Sequence, residues 1–250
     1  MSDDSGPMLH GRSEVWTALV RDGYALTDDE EVGLATKFRE NFAQTYFTDR
    51  VLRHDPGDWP VDRQRARDVV RYLWHGDKLT LREHEEITIT DRAGIPGKRD
   101  HARVMLLNDP QAEELVHAFL SLVPPDRRQN DGTFGINLFR TFTDVVTTPH
   151  SDHEEFVILY VLNRIGEKAE SYLYREADVP SNSHPNAKPI FRHQLAPGQI
   201  LIFEDGLFKH GTTPLEPLHG EKAKRDALVC TVDYGSTYLG RRQNEVGGYS

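Results

Sequence analysis

The chain has 250 residues, which is enough to bury one sizeable hydrophobic core. Its composition, with 37% hydrophobic and 28% charged residues, is that of a globular protein. The formal net charge of -10 argues against nucleic acid or an anionic membrane as the main partner, because both attract surfaces rich in Lys and Arg.

Three further features bear on where the chain resides. The single cysteine, Cys230, excludes an internal disulfide framework and fits a reducing compartment. The N-terminal residues lack the basic stretch and apolar run of a signal peptide. No apolar run approaches the roughly 20 residues that a membrane span needs. We therefore expect a cytoplasmic protein without a membrane partner, and the sequence leaves its oligomeric state open, with a homodimer as one hypothesis.

The first half of the chain has mostly helical patterns. Apolar residues recur at helical spacing between capping residues and Gly or Pro stops, and acidic residues favour helix starts. These signals predict a short strand over 24–27 and helices over 13–22, 28–46, 63–74 and from Asp109 towards Pro124. The helix over 28–46, or the stretch around Arg71 and Tyr72, is a candidate lid over an active site.

After Pro125 the sequence becomes rich in Val, Ile, Phe, Tyr and Leu, interrupted by Gly, Pro, Asn and Asp, which is typical of short strands. The predicted strands cover 133–146, 156–163, 170–175, 190–195, 199–204 and 227–234. Such a series favours a sandwich or barrel, of which the jelly roll is the common closed form. We predict a mainly β, α+β fold with one domain over 1–250. Helical support and a lid would occupy 1–130, and a double-stranded β-helix core with the metal site would occupy 131–240.

One short segment between two predicted strands has the composition of a metal site. In an extended backbone, residues i and i+2 point to the same side, so His150 and Asp152 can present their side chains to one ion. His210 follows an apolar strand and a turn, and is a candidate third ligand. His153 falls on the opposite side from Asp152 and is expected to be a surface or supporting histidine. The alternative is a polar loop with solvated histidines.

Two histidines and one carboxylate on one face of an octahedron leave three coordination positions free, which is the facial triad of non-haem iron(II) oxygenases. Fifteen residues after His210, Arg225 enters an apolar strand. A buried guanidinium needs an anion, and its planar fork suits a carboxylate. An ion pair with Asp226 or Glu221 is the alternative to a bound ligand.

The order His150-x-Asp152, His210-Gly and Arg225 resembles the 2-oxoglutarate/iron(II)-dependent dioxygenases. Over residues 133–235 the likeness is closest to the bacterial family of isoleucine 4-hydroxylase-type enzymes, which hydroxylate free amino acids. Four segments carry it: Pro149 to Val157, Leu162 to Gly166, Phe203 to Leu215 and Arg225 to Val229. The resemblance implies iron(II), 2-oxoglutarate and dioxygen, with ascorbate as a reductant in vitro. Succinate and CO2 would be the co-products.

The resemblance also implies roles for individual residues. His150, Asp152 and His210 would be the catalytic iron ligands, and Arg225 would bind the distal carboxylate of 2-oxoglutarate. Many superfamily members have Ser two residues after this Arg, where this chain has Ala227. The second hydrogen bond to the co-substrate must then come from elsewhere, and the candidates are Thr231, Tyr172 and Tyr174.

The substrate residues are harder to predict. Arg140 is predicted to point to the same side of its strand as the apolar residues before it. It is a candidate for binding a substrate carboxylate. Glu154 and Arg164 lie close to the metal segment in sequence, and an acid could hold an ammonium group. A solvated surface charge is the alternative for each of the three.

Several functions remain open at this point. Oxidation of an amino acid or its derivative could end in hydroxylation, desaturation or ring closure, whereas the carboxylate of Asp152 argues against halogenation. A zinc hydrolase with Glu154 as its base would use the same ligands. A non-catalytic β-barrel binding module is the third alternative, although such a module needs neither the triad nor Arg225.

Overall fold

The computed structural model describes residues 10–54, 63–76, 78–83, 89–90, 96–97, 103–143, 149–180, 187–218 and 220–234. Within them lie three α-helices, α1 Arg12–Asp22, α2 Thr36–Tyr46 and α3 Pro110–Leu120. The strands are β1 Tyr24–Asp28, β2 Arg53–His54, β3 Gln64–His75, β4 Lys78–Glu83, β5 Ile89–Thr90, β6 Pro96–Gly97, β7 Asp131–Thr141, β8 Phe156–Ile165, β9 Glu167–Lys168, β10 Ser171–Arg175, β11 Phe191–His193, β12 Gln199–Glu204, β13 Phe208–Thr212, β14 Leu215–Glu216 and β15 Lys224–Asp233. None of the described helices is long and apolar enough to cross a membrane.

Two antiparallel sheets form the framework. The major sheet has eight strands in the order β1-β12-β8-β15-β7-β3-β2, with β4 paired to β3. The minor sheet has the order β11-β10-β13. The double-stranded β-helix and the mainly β, α+β class predicted from the sequence are confirmed.

The two faces of the major sheet bury different cores. On one face, Phe134, Ile136 and Leu138 of β7 pack in a core that includes side chains of all three helices. On the other face, Val157, Leu159 and Val161 of β8 pack with Leu173 and Phe208 of the minor sheet. We call the space between the sheets the barrel interior. Successive side chains of a strand point to opposite faces, so parity decides which side chains reach it.

Helices α1 and α3 and strand β1 confirm the sequence predictions. Helix α3 begins where Asp109 accepts hydrogen bonds from the backbone N–H groups of Gln111 and Ala112, with Pro110 in the first turn. The six strands predicted after Pro125 are present as β7, β8, β10, β11, β12 and β15. Residues 144–146 of the first of these predictions lie outside the described residues.

Two predicted helices are wrong in whole or in part. Residues 63–74 are not helical; from Gln64 on they belong to β3, which pairs with β7 from Gln64 to Leu73. The β-branched and aromatic residues of this segment favour a strand, and its interspersed arginines hid the alternation. The helix predicted from Asp28 begins only at Thr36, because Asp28 accepts a hydrogen bond from the N–H of Glu31 and caps a turn.

The two lid candidates do not cover the barrel interior. Phe38 and Phe42 of α2 and Tyr72 of β3 are buried in the helix-side core. This burial does not favour a mobile lid at either segment.

Candidate active site

The two candidate histidine ligands face each other across a backbone bridge. The N–H of His150 donates to the carbonyl of His210 at 3.1 Å, and the N–H of His210 donates to the carbonyl of His150 at 2.8 Å. Their ring centroids lie 4.4 Å apart. The ring of Phe203, 5.0 Å away, packs against His210 from the barrel interior. Strand β13 thus holds His210 next to Phe203 and the barrel interior.

Asp152 completes a three-residue group. One carboxylate oxygen lies 3.6 Å from Nε2 of His150, and the other lies 3.5 Å from Nε2 of His210. One nitrogen or oxygen from each of the three side chains lies within 4.8 Å of the others. This donor set and its spacing fit one metal ion, with two imidazoles and one carboxylate on the same side.

Asp205 supports His210 from behind. It is buried, and its carboxylate oxygen lies 3.4 Å from Nδ1 of His210. The same carboxylate accepts hydrogen bonds from the hydroxyl of Ser151 at 2.8 Å and from the N–H of Glu154 at 3.0 Å. A carboxylate at Nδ1 leaves Nε2 to face Asp152, which is the arrangement that orients histidine ligands in metal proteins.

The electrostatics of the group favour a cation. Burial lowers the pKa of His210, but Asp152 and Asp205 outweigh it and raise the pKa to about 9. Burial raises the pKa of Asp152, but hydrogen bonds from His150 and His210 outweigh it and hold the pKa far below its ordinary value. The carboxylate is therefore ionised at neutral pH, and positive charge is stabilised between the three side chains.

Arg225 lies on the barrel-interior face of β15. Leu228, Cys230 and Val232 pack in the helix-side core, whereas Val229 packs in the barrel interior, so Arg225 shares the interior face with Val229. Its side chain is buried, and its Nη2 has no hydrogen-bond partner among the residues that the structure describes. Burial and, as a smaller effect, the positive charge of Arg164 lower the pKa of Arg225 to about 10.

Two arginines that repel each other electrostatically, Arg164 and Arg225, call for an anion. Arg164 pairs directly with Arg225 between β8 and β15. One of its nitrogens donates to the carbonyl of Leu195 at 3.1 Å. Because this position is at the far end of β8 from the metal group, it favours a place for Arg164 beside Arg225 over the predicted substrate contact. A carboxylate of 2-oxoglutarate would neutralise the unpaired charge.

The candidates for a second 2-oxoglutarate contact have to be revised. Thr231 shares the interior face of β15, but it lies six residues from Arg225, about 20 Å along an extended strand. Tyr172 and Tyr174 alternate with Leu173, which points into the barrel interior, so both point away from it. The distance of Thr231 and the orientation of Tyr172 and Tyr174 therefore argue against a contact of these residues with 2-oxoglutarate.

Ser171 was missed by the sequence analysis. It shares the interior face of β10 with Leu173, is buried, and its hydroxyl has no partner among the described residues. It pairs with Thr212, two residues beyond His210 on β13. Alternation along the predicted strand over 170–175 could have identified this hydroxyl.

Arg140 does not face the candidate metal group. It shares the face of Ile136 and Leu138 as predicted, but helices cover that face. Its Nε donates to Asp226 at 2.7 Å, and Nη2 donates to the same carboxylate and to the carbonyl of Phe47. The guanidinium holds a buried ion pair on the other side of the sheet, which argues against the predicted contact between Arg140 and a substrate.

Glu154 and His153 lie beside the metal group in the chain. Glu154 is half-buried, and its negative charge acts on Arg67 of β3. His153 is exposed and has a left-handed backbone with φ 63°. It does not belong to the group of metal-binding side chains.

Comparisons with known proteins agree with this geometry. The family model described as 2OG-Fe dioxygenase matches residues 52–231. No curated protein matches the chain significantly. Among solved structures, a bsmA homolog from Methylobium petroleophilum PM1 is 18% identical with a TM-score of 0.73, covering 91% of this chain and 95% of its own. IDO from Bacillus thuringiensis is 17% identical with a TM-score of 0.65, covering 94% and 99%. The Fe(II)/(alpha)ketoglutarate-dependent dioxygenase TqaL is 12% identical with a TM-score of 0.66, covering 89% and 86%.

At these identities the structural neighbours establish the fold, and the family model establishes the class of enzyme. Members of this class use Fe(II), 2-oxoglutarate and dioxygen. The chain belongs to the 2OG-Fe dioxygenase family.

Proposed function

We propose that this enzyme oxidises an unactivated C–H bond of a free amino acid or amino-acid derivative, with hydroxylation as the outcome. Oxidation would be coupled to conversion of 2-oxoglutarate into succinate and CO2. One juxtaposition carries the proposal: the group of His150, Asp152 and His210 lies beside a barrel interior that also contains Arg225. Nη2 of this arginine has no hydrogen-bond partner in the part of the chain that the structure describes. A metal hydrolase would need the first feature but not the second.

In this proposal His150, Asp152 and His210 hold iron(II) on one face, and Asp205 keeps the ring of His210 in place. Arg225 binds the distal carboxylate of 2-oxoglutarate, and Ser171 donates a second hydrogen bond to it. Bound iron with its co-substrate supplies the oxidative decarboxylation and the oxidant for the C–H bond. The chain itself binds both small molecules, orients them and excludes water.

Two observations support an amino-acid substrate. The sequence resembles free amino acid hydroxylases over 133–235. A negative charge, that of Glu154, and a positive charge, that of Arg67, also lie in the region of Asp152. Both carboxylates act electrostatically on Arg67. A zwitterionic substrate needs an acidic side chain to bind its ammonium group and a basic side chain to bind its carboxylate. We propose Glu154 as the acidic side chain.

The experiment is a succinate-release screen of the free amino acids with iron(II), ascorbate and 2-oxoglutarate. We expect at least one amino acid to stimulate succinate release, and the product to gain one oxygen atom by mass spectrometry. Loss of two hydrogen atoms instead would indicate desaturation or ring closure. Reactions with zinc(II), or without 2-oxoglutarate, are the controls. Conversion of an amino acid that persists with zinc(II) and without 2-oxoglutarate, detected by mass spectrometry, would support a hydrolase. Silence across all amino acids would refute a free amino acid as the substrate.

A further inference from the structure

A further arginine of the major sheet, besides Arg225 and Arg164, faces the barrel interior. Arg67 lies on β3, opposite Asn137 of β7. Its neighbours Ala66, Val70 and Tyr72, which have even numbers, pack in the helix-side core. By alternation, Arg67 points to the other face, towards the space in which the candidate metal group lies.

Gly135 of β7 lies beside this side chain. A Cβ atom at Gly135 would lie 2.5 Å from Oγ1 of Thr231 and 3.9 Å from Nη2 of Arg67. A side chain at this position would therefore collide with Thr231 and come into van der Waals contact with the guanidinium. The same face of the major sheet thus brings Arg67 and Thr231 of β15 to either side of Gly135.

The surroundings of Arg67 connect it with the metal group. Burial lowers the pKa of Arg67, and the negative charges of Glu154 and Asp152 partly offset that effect. Asp152 belongs to the metal group, so Arg67 lies within electrostatic reach of the place where iron would bind.

Arg67 nevertheless lacks an anion of its own. Its Nε is buried without a hydrogen-bond partner, and no carboxylate of the described residues forms an ion pair with it. Other partly buried arginines have such partners, since Arg103 pairs with Asp68 at 3.1 Å and Arg127 pairs with Glu204 at 2.6 Å. An unpaired guanidinium in a partly desolvated interior is costly unless a ligand supplies the negative charge.

We propose that Arg67 binds the carboxylate of the substrate, which makes the substrate a free acid and not an ester, an amide or a carrier-bound thioester. The inference rests on the proposed function and narrows its substrate class. A planar carboxylate can accept two hydrogen bonds from the guanidinium, which would fix the position of the substrate beside Asp152. The other source of a carboxylate is the keto-acid end of 2-oxoglutarate, and the experiment separates the two.

The test uses the full-length protein loaded with Mn(II), which replaces iron without turnover, and saturated with 2-oxoglutarate. The probes are the free L-amino acids and their α-carboxamides, with binding measured by calorimetry. The variants are Arg67→Gln and Arg71→Gln. Arg71 is a matched control on the same strand, because its exposed side chain bonds to Asp131 on the surface, at 3.1 Å.

We expect the wild-type protein and Arg71→Gln to bind at least one free acid about 100-fold more tightly than its amide. Arg67→Gln should bind acid and amide with equal, weak affinity. Its affinity for Mn(II) and 2-oxoglutarate should be unchanged, which also shows that the variant folds. Equal binding of acid and amide by the wild-type protein, or unchanged discrimination in Arg67→Gln, would overturn the proposal.

The remaining outcomes separate this inference from the proposed function. If Arg67→Gln loses affinity for 2-oxoglutarate, the arginine serves the co-substrate and the inference is refuted. If the wild-type protein binds Mn(II) and 2-oxoglutarate but no free acid, the inference is again refuted while the oxygenase chemistry stands. A wild-type protein that binds neither Mn(II) nor 2-oxoglutarate would refute the proposed function itself.

Discussion

His150 and His210 exchange both of their backbone hydrogen bonds, at 3.1 and 2.8 Å. This is the hydrogen-bonded pairing of antiparallel strands, and it sets the separation of the two rings through the main chain. The side chain of Asp152 lies between the two imidazoles. The metal group is therefore positioned by the fold, and its geometry depends on the residues that keep β13 in place.

Gly211 is one such residue. A Cβ atom there would collide with the hydroxyl and ring of Tyr172 on β10. We expect Gly211→Ala to lower the affinity for Mn(II) by about tenfold, because the neighbouring His210 must shift with the backbone. The measurement is a metal titration. The double variant Gly211→Ala/Tyr172→Leu should recover most of the loss, and an equal loss in both variants would contradict this explanation.

Asp205 should act through His210. The change Asp205→Asn keeps the size of the side chain but removes the charge behind Nδ1. We expect Mn(II) affinity to fall by about 10- to 100-fold. The variant Glu176→Gln, at an exposed acid that pairs with Lys209 at 3.6 Å, is the control and should bind metal normally. Wild-type affinity in Asp205→Asn would show that the buried carboxylate does not support the ligand.

Arg225 and Ser171 should determine the affinity for 2-oxoglutarate. Arg225→Gln should weaken 2-oxoglutarate binding to the Mn(II)-loaded protein by about 100-fold, since a charged hydrogen-bonded partner is lost. Ser171→Ala should weaken it by about tenfold, as expected for one hydrogen bond. Mn(II) affinity should not change in either variant. Arg192→Gln, at an exposed arginine that pairs with Glu170, is the control. Normal 2-oxoglutarate affinity in Arg225→Gln would place the co-substrate elsewhere.

The ion pair of Arg140 and Asp226 should stabilise the fold without contributing to substrate binding. Asp226→Ala leaves a buried guanidinium without its partner and should lower the free energy of unfolding by about 3–5 kcal/mol. The double variant Arg140→Met/Asp226→Leu should lose far less, because no charge remains buried. Denaturant titrations measure both. A double variant that folds well but fails to bind substrate would instead assign Arg140 to the site.

The sequence was most informative where local geometry determines the outcome. Alternation in an extended chain predicted that His150 and Asp152 point together, and the order of His210 and Arg225 pointed to the right family. The sequence was less informative where the environment of a side chain depends on which layer packs on that face of the sheet. Parity placed Arg140 among apolar residues, but could not show that helices cover that side of the sheet.

Long-range pairing accounts for the other errors. The segment over 64–75 forms a strand because β7 offers it a partner. Arg67 reaches the barrel interior only through that pairing, so its relation to Asp152 could not be seen in the sequence. The same holds for Ser171, whose hydroxyl becomes noteworthy only because the sheets bury it with no partner among residues of the described ranges.

The central claim is that His150, Asp152 and His210 bind the iron that couples 2-oxoglutarate to substrate oxidation. Its most direct test is succinate release by wild-type protein and by Asp152→Ala, at saturating iron(II), 2-oxoglutarate and the best amino acid from the screen. We expect the variant to lose at least 100-fold in substrate-stimulated succinate release while its fold, followed by circular dichroism, is retained. Succinate release at the wild-type rate by Asp152→Ala would contradict the assignment.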